Sequence, residues 1–280
     1  MLKHMVAAIV AAAFAAVVPT APAQADLKKG WLDYTHGTKK LKGYVVYDDA
    51  KNGKRPAILM IHAREGMTEK TKSLAEMWAK LGYIAFAADI FGYGEGILPK
   101  DIPEMSALTT IFRKDRALTR ARTRAGFDAL VRHPLVDTAR VAAIGYCFGG
   151  DVGVEFGSTG APLLLNVAIH GSFEKKYHDG WAKNVKGRFL ILHGAEDKNY
   201  PLSTVATVVD DLRAARVPFQ LELYSEPPTA SPRPRARTTN APTRSRSPPP
   251  RATCARCSHP DRLSLRGGQW RLFAPCPLGA

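Results

Sequence analysis

A run of four apolar residues, Val141-Ala142-Ala143-Ile144, leads straight into Gly145-Tyr146-Cys147-Phe148-Gly149-Gly150. A buried strand that ends in Gly-x-Cys-x-Gly-Gly and passes into a helix has the form of a nucleophile elbow. The tight turn forces the central side chain into the open, and the flanking glycines let neighbouring backbone pass where a Cβ would collide. The Cys147 thiol is then expected over a helix N-terminus, whose free N–H groups favour thiolate over thiol. Free cysteines are otherwise among the most buried residues. The bracketing glycines and the strand-to-helix context favour a working nucleophile over a core residue.

A thiol that attacks an acyl carbon needs a base for its proton, an acid to orient that base, and donors for the oxyanion. The expected donors are the backbone N–H of Phe148 and one from the loop after the second strand, at Ala63 or Arg64. The orienting acid is read as Asp197, in His193-Gly194-Ala195-Glu196-Asp197 at a strand end, with Glu196 the weaker rival. His62, Asp89, His170 and His193 fall at strand ends as well. His170 and His193 are read first as structural loop histidines, with a substitute base as the alternative. The folded region holds no phosphate-binding glycine loop and no ligand cluster, so no metal, nucleotide or redox cofactor is implied.

The elements that must position these residues alternate between strand and helix from residue 27 to 224. Strands are expected at 43–47, 57–62, 84–88, 141–144, 163–169, 189–193 and 219–224. Several are continuous apolar runs, which suits strands buried on both faces of a mostly parallel sheet. Helices are expected at 69–81, 104–132, after Cys147, and at 202–215. In the last, Leu202, Val205, Val208, Val209 and Leu212 recur at helical spacing as a core-facing stripe. The Arg-rich stretch 113–132 reads as a solvated helix face. This alternation predicts a doubly wound α/β fold with ligands beyond the C-terminal strand ends, where Cys147 lies.

The 280 residues suit one such domain with appendages. Residues 1–25 read as a secretory signal peptide: Lys3 and His4 are basic, an apolar stretch follows, and Ala23-Gln24-Ala25 is an A-x-A cleavage site. The mature protein is therefore expected in the periplasm or outside the cell, cut after Ala25 and free of the membrane. Between residues 26 and 224 Cys147 is the only cysteine, so an internal disulfide is excluded there. The net charge of +15 is unevenly spread. From Ser225 onward ten Arg face two acids, and 11 of the chain's 20 Pro occur there. That composition cannot bury enough apolar surface to fold alone, and no nucleic-acid partner is expected from it. Cys254, Cys257, His259 and Cys276 lack the spacing of a closed zinc site.

The elbow Gly-Tyr-Cys-Phe-Gly-Gly, the later His193-Gly-x-x-Asp197, and Leu59-Met60-Ile61-His62 with Gly66 resemble the dienelactone hydrolase family, and Ala88-Asp89-Ile90-Phe91-Gly92 agrees. The likeness covers about residues 30–224. It implies an α/β-hydrolase fold and a Cys-His-Asp triad acting on esters or lactones, with Cys147 as nucleophile and Asp197 as acid. Two departures stand out. A glutamate that commonly follows the His of the second strand is here Ala63, with Glu65 two positions on as a possible accessory. The histidine expected after the last strand, within Gly-Ala-x-His-x-Phe, is missing from Ser225-Glu226-Pro227-Pro228-Thr229-Ala230-Ser231-Pro232.

The genetic code offers a reason. Joining the third base of each codon to the first two of the next, from Ser225, permits Gly-Ala-Ala-His-Gly-Phe-Thr. The residues from about 225 onward are accordingly read as frameshifted, which removes both the triad histidine and a final helix. His259 in that segment is not expected to act as base. The sequence thus predicts three regions: 1–25, a hydrolase domain at 26–224, and a disordered tail at 225–280. The expected activity is acyl transfer from a small-molecule ester or lactone to Cys147, impaired by the missing histidine. The alternative is a non-catalytic exported binding protein on the same fold, with a basic tail.

Overall fold

The structure, a computed structural model, describes residues 26–173, 180–225, 263–266 and 269–272. The proposed signal peptide, most of the tail and His259 lie outside the described residues. The chain divides after Thr229 into two units.

Eight strands of the first unit form one sheet in the order β1-β2-β4-β3-β5-β6-β7-β8. They are β1 (Leu27–His36), β2 (Lys39–Asp48), β3 (Arg55–Ile61), β4 (Ile84–Ala88), β5 (Val136–Tyr146), β6 (Leu165–Ile169), β7 (Arg188–Gly194) and β8 (Phe219–Tyr224). The β1–β2 and β2–β4 pairs are antiparallel and every later pair is parallel. The central strands β3, β4 and β5 are the continuous apolar runs of the sequence. Leu59, Ile61, Ile84, Phe86, Val141 and Ala143 are fully buried, as strands covered on both faces must be.

Five helices connect the strands: α1 (Glu69–Lys80), α2 (Ile102–Lys114), α3 (Arg116–Val131), α4 (Phe148–Gly157) and α5 (Leu202–Ala214). The stretch expected as one helix at 104–132 is two. Asp115 ends α2 and caps α3, its carboxylate accepting from the Leu118 N–H at 2.8 Å. Aspartate competes for backbone donors in this way, so it favours a helix start over a helix interior. In α5, Val205, Val208 and Leu212 are buried and Val209 packs against them, whereas Leu202 at the first turn is exposed. Strand β1 was not expected.

Helix α4 is buried along all ten of its residues. It nevertheless carries two acids, Asp151 and Glu155, whose side chains are each 2% exposed. Arg116 on α3 reaches both, at 3.0 and 3.6 Å, and Arg120 bonds Glu155. Arg122 is itself buried and donates to the Ile90 carbonyl at 2.8 Å. The Arg-rich face is therefore in part an internal ion-pair seam and not only a solvated surface. Two buried carboxylates require such partners.

In the second unit, β9 (Leu263–Arg266) and β10 (Gln269–Leu272) form an antiparallel pair. The tail is thus not wholly without regular structure. Two alternating segments flank Gly267-Gly268, a short hairpin signal that the composition conceals. Among the described residues no helix follows β8, and none is long and apolar enough to cross a membrane.

Candidate active site

The C-terminal ends of β3, β5, β6 and β7 carry the residues singled out in the sequence. Tyr146 pairs with Ile169, and Ile169 with Leu192, so Cys147, His170 and His193 follow one another across three neighbouring parallel strands. The backbone continues the ladder past the strand ends: the Cys147 N–H donates to the Ile169 carbonyl at 2.8 Å, and the His170 N–H to the Leu192 carbonyl at 2.9 Å.

Cys147 is the residue of the elbow. Its φ of +53° and ψ of −116° mark a strained backbone that a side chain rarely adopts. The turn is possible because its flanks carry no Cβ. One on Gly145 would lie 1.9 Å from the Gly149 carbonyl oxygen, and one on Gly149 2.3 Å from that of Ile61. The thiol is half-buried at the start of α4. Burial pushes its pKa up, and the Glu65 carboxylate adds to this, while the Phe148 N–H, Arg64 and Arg113 pull it down. Desolvation outweighs the donors and so works against the thiolate expected from the helix N-terminus. A neutral thiol is what burial in a low-dielectric setting favours.

Cys147 opens on a cleft of about 670 Å³. Ala63, Arg64 and Glu65 line it from the loop after β3, with His170 and Tyr200 from the β6 and β7 ends. Thus Ala63 and Arg64 stand in the same cleft as Cys147, and the Phe148 N–H belongs to the first turn of the helix that Cys147 caps. The Glu65 carboxylate lies 3.5 Å from Arg64 Nε. His62 holds this loop in place. Its Nδ1 contacts the Ala63 carbonyl at 2.7 Å and its Nε2 accepts from the Ile90 N–H at 3.2 Å. Nδ1 must then carry the proton. His62 is fully buried, and desolvation lowers its pKa, so the neutral ring is the stable one.

Asp197 follows β7, and its side chain is 7% exposed. Oδ1 accepts from the N–H groups of Asn199 at 2.9 Å and Tyr200 at 3.0 Å, which fixes the carboxylate in an Asx turn. Burial opposes its ionisation, yet those two donors and the nearby His170 and His193 hold its pKa below the usual aspartate value. The rival Glu196 is exposed. Asp89, at the end of β4, instead braces the backbone, accepting from Gly92, Gly94 and Lys42 N–H groups at 2.7 to 3.1 Å.

His170 stands at a strand end as the sequence leads one to expect, but its proximity to Asp197 is not legible there. Its Nδ1 lies 2.6 Å from Asp197 Oδ2. That oxygen has no hydrogen-bond partner among the described residues, so the two groups are close without being aligned as donor and acceptor. His193 fits the structural reading better: fully buried, it contacts the Tyr200 carbonyl through Nε2 at 2.7 Å and stands 4.0 Å from Asp197.

The pattern of the dienelactone hydrolase family matches residues 41–237. Among solved structures, a dienelactone hydrolase-like promiscuous phosphotriesterase from metagenomic libraries superposes with a TM-score of 0.68 at 33% identity. The match covers 71% of this chain and 82% of that one. Dienelactone hydrolase of Anabaena variabilis shares the fold, with a TM-score of 0.53 at 20% identity over 71% of this chain and 86% of that one. A Yersinia pestis protein described as a candidate carboxymethylenebutenolidase is 24% identical over 206 residues, 67% of this chain and 72% of its own.

Proposed function

The chain belongs to the dienelactone hydrolase family, and from that premise we propose that it hydrolyses carboxylic esters or lactones by acyl transfer to Cys147. The observation that carries this reading is the strained turn at Cys147, which opens its thiol on the cleft at the N-terminus of a buried helix. Such strain persists where surrounding structure imposes it, and it is a frequent mark of a functional site.

In this reading the sulfur attacks the acyl carbon, and the oxyanion takes hydrogen bonds from the Phe148 N–H and from Ala63 or Arg64. A thioester forms as the alcohol departs, and water then releases the acid and restores the thiol. Asp197 orients the base. Because the histidine of the family motif is absent at residues 225–232, turnover is expected below that of an intact triad. The test is p-nitrophenyl acetate hydrolysis by the full chain and by Cys147→Ala. Turnover equal in the two would reject the reading. The description of the metagenomic relative as a promiscuous phosphotriesterase adds phosphotriesters as a second substrate class for the same assay.

We also propose export through residues 1–25. Their basic start, apolar stretch and A-x-A ending support cleavage after Ala25, which N-terminal sequencing of the secreted protein would check.

A further inference from the structure

We propose that His170, held on Asp197, is the base for Cys147 in this chain. The proposal deepens the acyl-transfer reading and rests on it. A histidine placed after β6 would then do the work for which the family motif uses one after β8.

Three observations converge on this ring. The first is reach. Cys147 and His170 leave neighbouring parallel strands at paired residues, and the Cys147 N–H bonds the residue just before His170. Their main chains are therefore about one strand spacing apart, roughly 4.8 Å. Imidazole spans that kind of gap. The second is orientation. Nδ1 rests on the buried Asp197 oxygen at 2.6 Å, and the half-exposed ring also lines the Cys147 cleft. Once that contact aligns as a hydrogen bond, Nδ1 is held by the carboxylate and Nε2 is the nitrogen for a substrate-side proton. The third is strain. His170 has a φ of +53°, the same as Cys147, where a glycine would be at ease. Two strained side chains at adjacent strand ends face one cleft.

The other histidines at these strand ends are engaged. Backbone groups occupy both nitrogens of His62, and Nε2 of His193 lies on the Tyr200 carbonyl. A base is called for because burial raises the pKa of the half-buried thiol. The charged and titratable groups around the His170 ring are Asp197, His193 and Tyr200 from the β7 side, the Tyr200 ring packing edge-on at 5.4 Å, and Cys147 from β5. Glu196 and Lys198 stand in the hollow beside Asp197, and the Arg64–Glu65 pair lies in the shared cleft.

The proton path balances without a further reactant. As Sγ bonds the acyl carbon, its proton passes to Nε2; the C–O bond breaks and the imidazolium returns that proton to the departing alkoxide. In the second half, water gives a proton to Nε2 as its oxygen adds to the thioester. The C–S bond then breaks and the proton returns to sulfur.

The variant of choice is His170→Gly in the full chain, because glycine accepts φ +53° and keeps the turn. Two readouts separate this proposal from the underlying one: p-nitrophenyl acetate turnover, and the rate at which iodoacetamide alkylates Cys147 between pH 6 and 9. We expect kcat/KM to fall about 100-fold or more, with KM changed little and partial rescue by added imidazole. Alkylation at pH 7 should fall about tenfold and its pH profile move upward, since deprotonation would then rely on solvent. Asp197→Asn should reproduce part of both effects, and His259→Gln neither. Unchanged turnover and alkylation in His170→Gly would overturn the proposal, as would losses confined to His259→Gln. Turnover that survives Cys147→Ala would instead remove the hydrolase reading, while alkylation still reports whether His170 governs the thiol.

Discussion

The Ile61 carbonyl oxygen occupies the space beside Gly149, 2.3 Å from where a Cβ there would stand. This contact locks the start of α4 against the end of β3, and hence the Cys147 turn against the loop of Ala63 and Arg64. Gly149→Ala is expected to destabilise the fold by about 3 kcal/mol or more, because backbone rather than a flexible side chain must move. Urea unfolding measures it. A midpoint equal to that of the parent would mean that the turn tolerates displacement.

The ion-pair seam between α3 and α4 leads to a second expectation. Replacing Arg116 and Arg120 together by alanine takes two cations away from the buried carboxylates of Asp151 and Glu155. Loss of such partners typically costs about 3–5 kcal/mol. Thermal melting of the double variant should therefore fall steeply, and adding Asp151→Asn with Glu155→Gln should recover most of the loss. No recovery would show that the arginines act through packing instead.

His62 makes stability depend on pH in a definite direction. Its folded pKa lies below the unfolded value, which is about 6.5. The unfolded chain therefore binds the proton first as pH falls. Its stabilising contribution is complete above that value and is lost toward the lower folded one, by up to about 1.4 kcal/mol per pH unit. Unfolding free energies measured at pH 7.5, 6.5 and 5.5 should decline in the parent more steeply than in His62→Asn. Parallel declines would place the acid sensitivity elsewhere.

Asp197 acts lower on the scale. Its folded pKa is depressed, so its contribution is present above the unfolded carboxylate value of about 3.9 and is lost as pH falls through the folded one. Asp197→Asn should remove that part of the acid transition while leaving stability between pH 6 and 8 without added slope. Acid titration by circular dichroism distinguishes the two proteins.

The sequence revealed the sheet better than the relationships between its ends. Continuous apolar runs such as Ile84–Ala88 announce strands covered on both faces, and the Gly-Tyr-Cys-Phe-Gly-Gly turn announces itself by residue type. Strand β1 is hard to read because it is a one-sided edge strand carrying two Lys and one Asp, with only Tyr34 deeply buried. The helix break at Asp115 was hidden because the apolar periodicity continues on both sides of it. The His170–Asp197 contact depends on the register between β6 and β7 and on the turn that Asn199 and Tyr200 close around the carboxylate. None of these distances is written in residue spacing, since 27 positions of chain separate two side chains that touch.

Strand β8 lies at one margin of the eight-stranded sheet, with Leu223 and Tyr224 about half exposed. Its outer row of amide and carbonyl groups can template further strand pairing. Among the described residues no strand pairs with that border, so association of copies there at high protein concentration is the expected outcome, and Leu223→Lys is expected to reduce it.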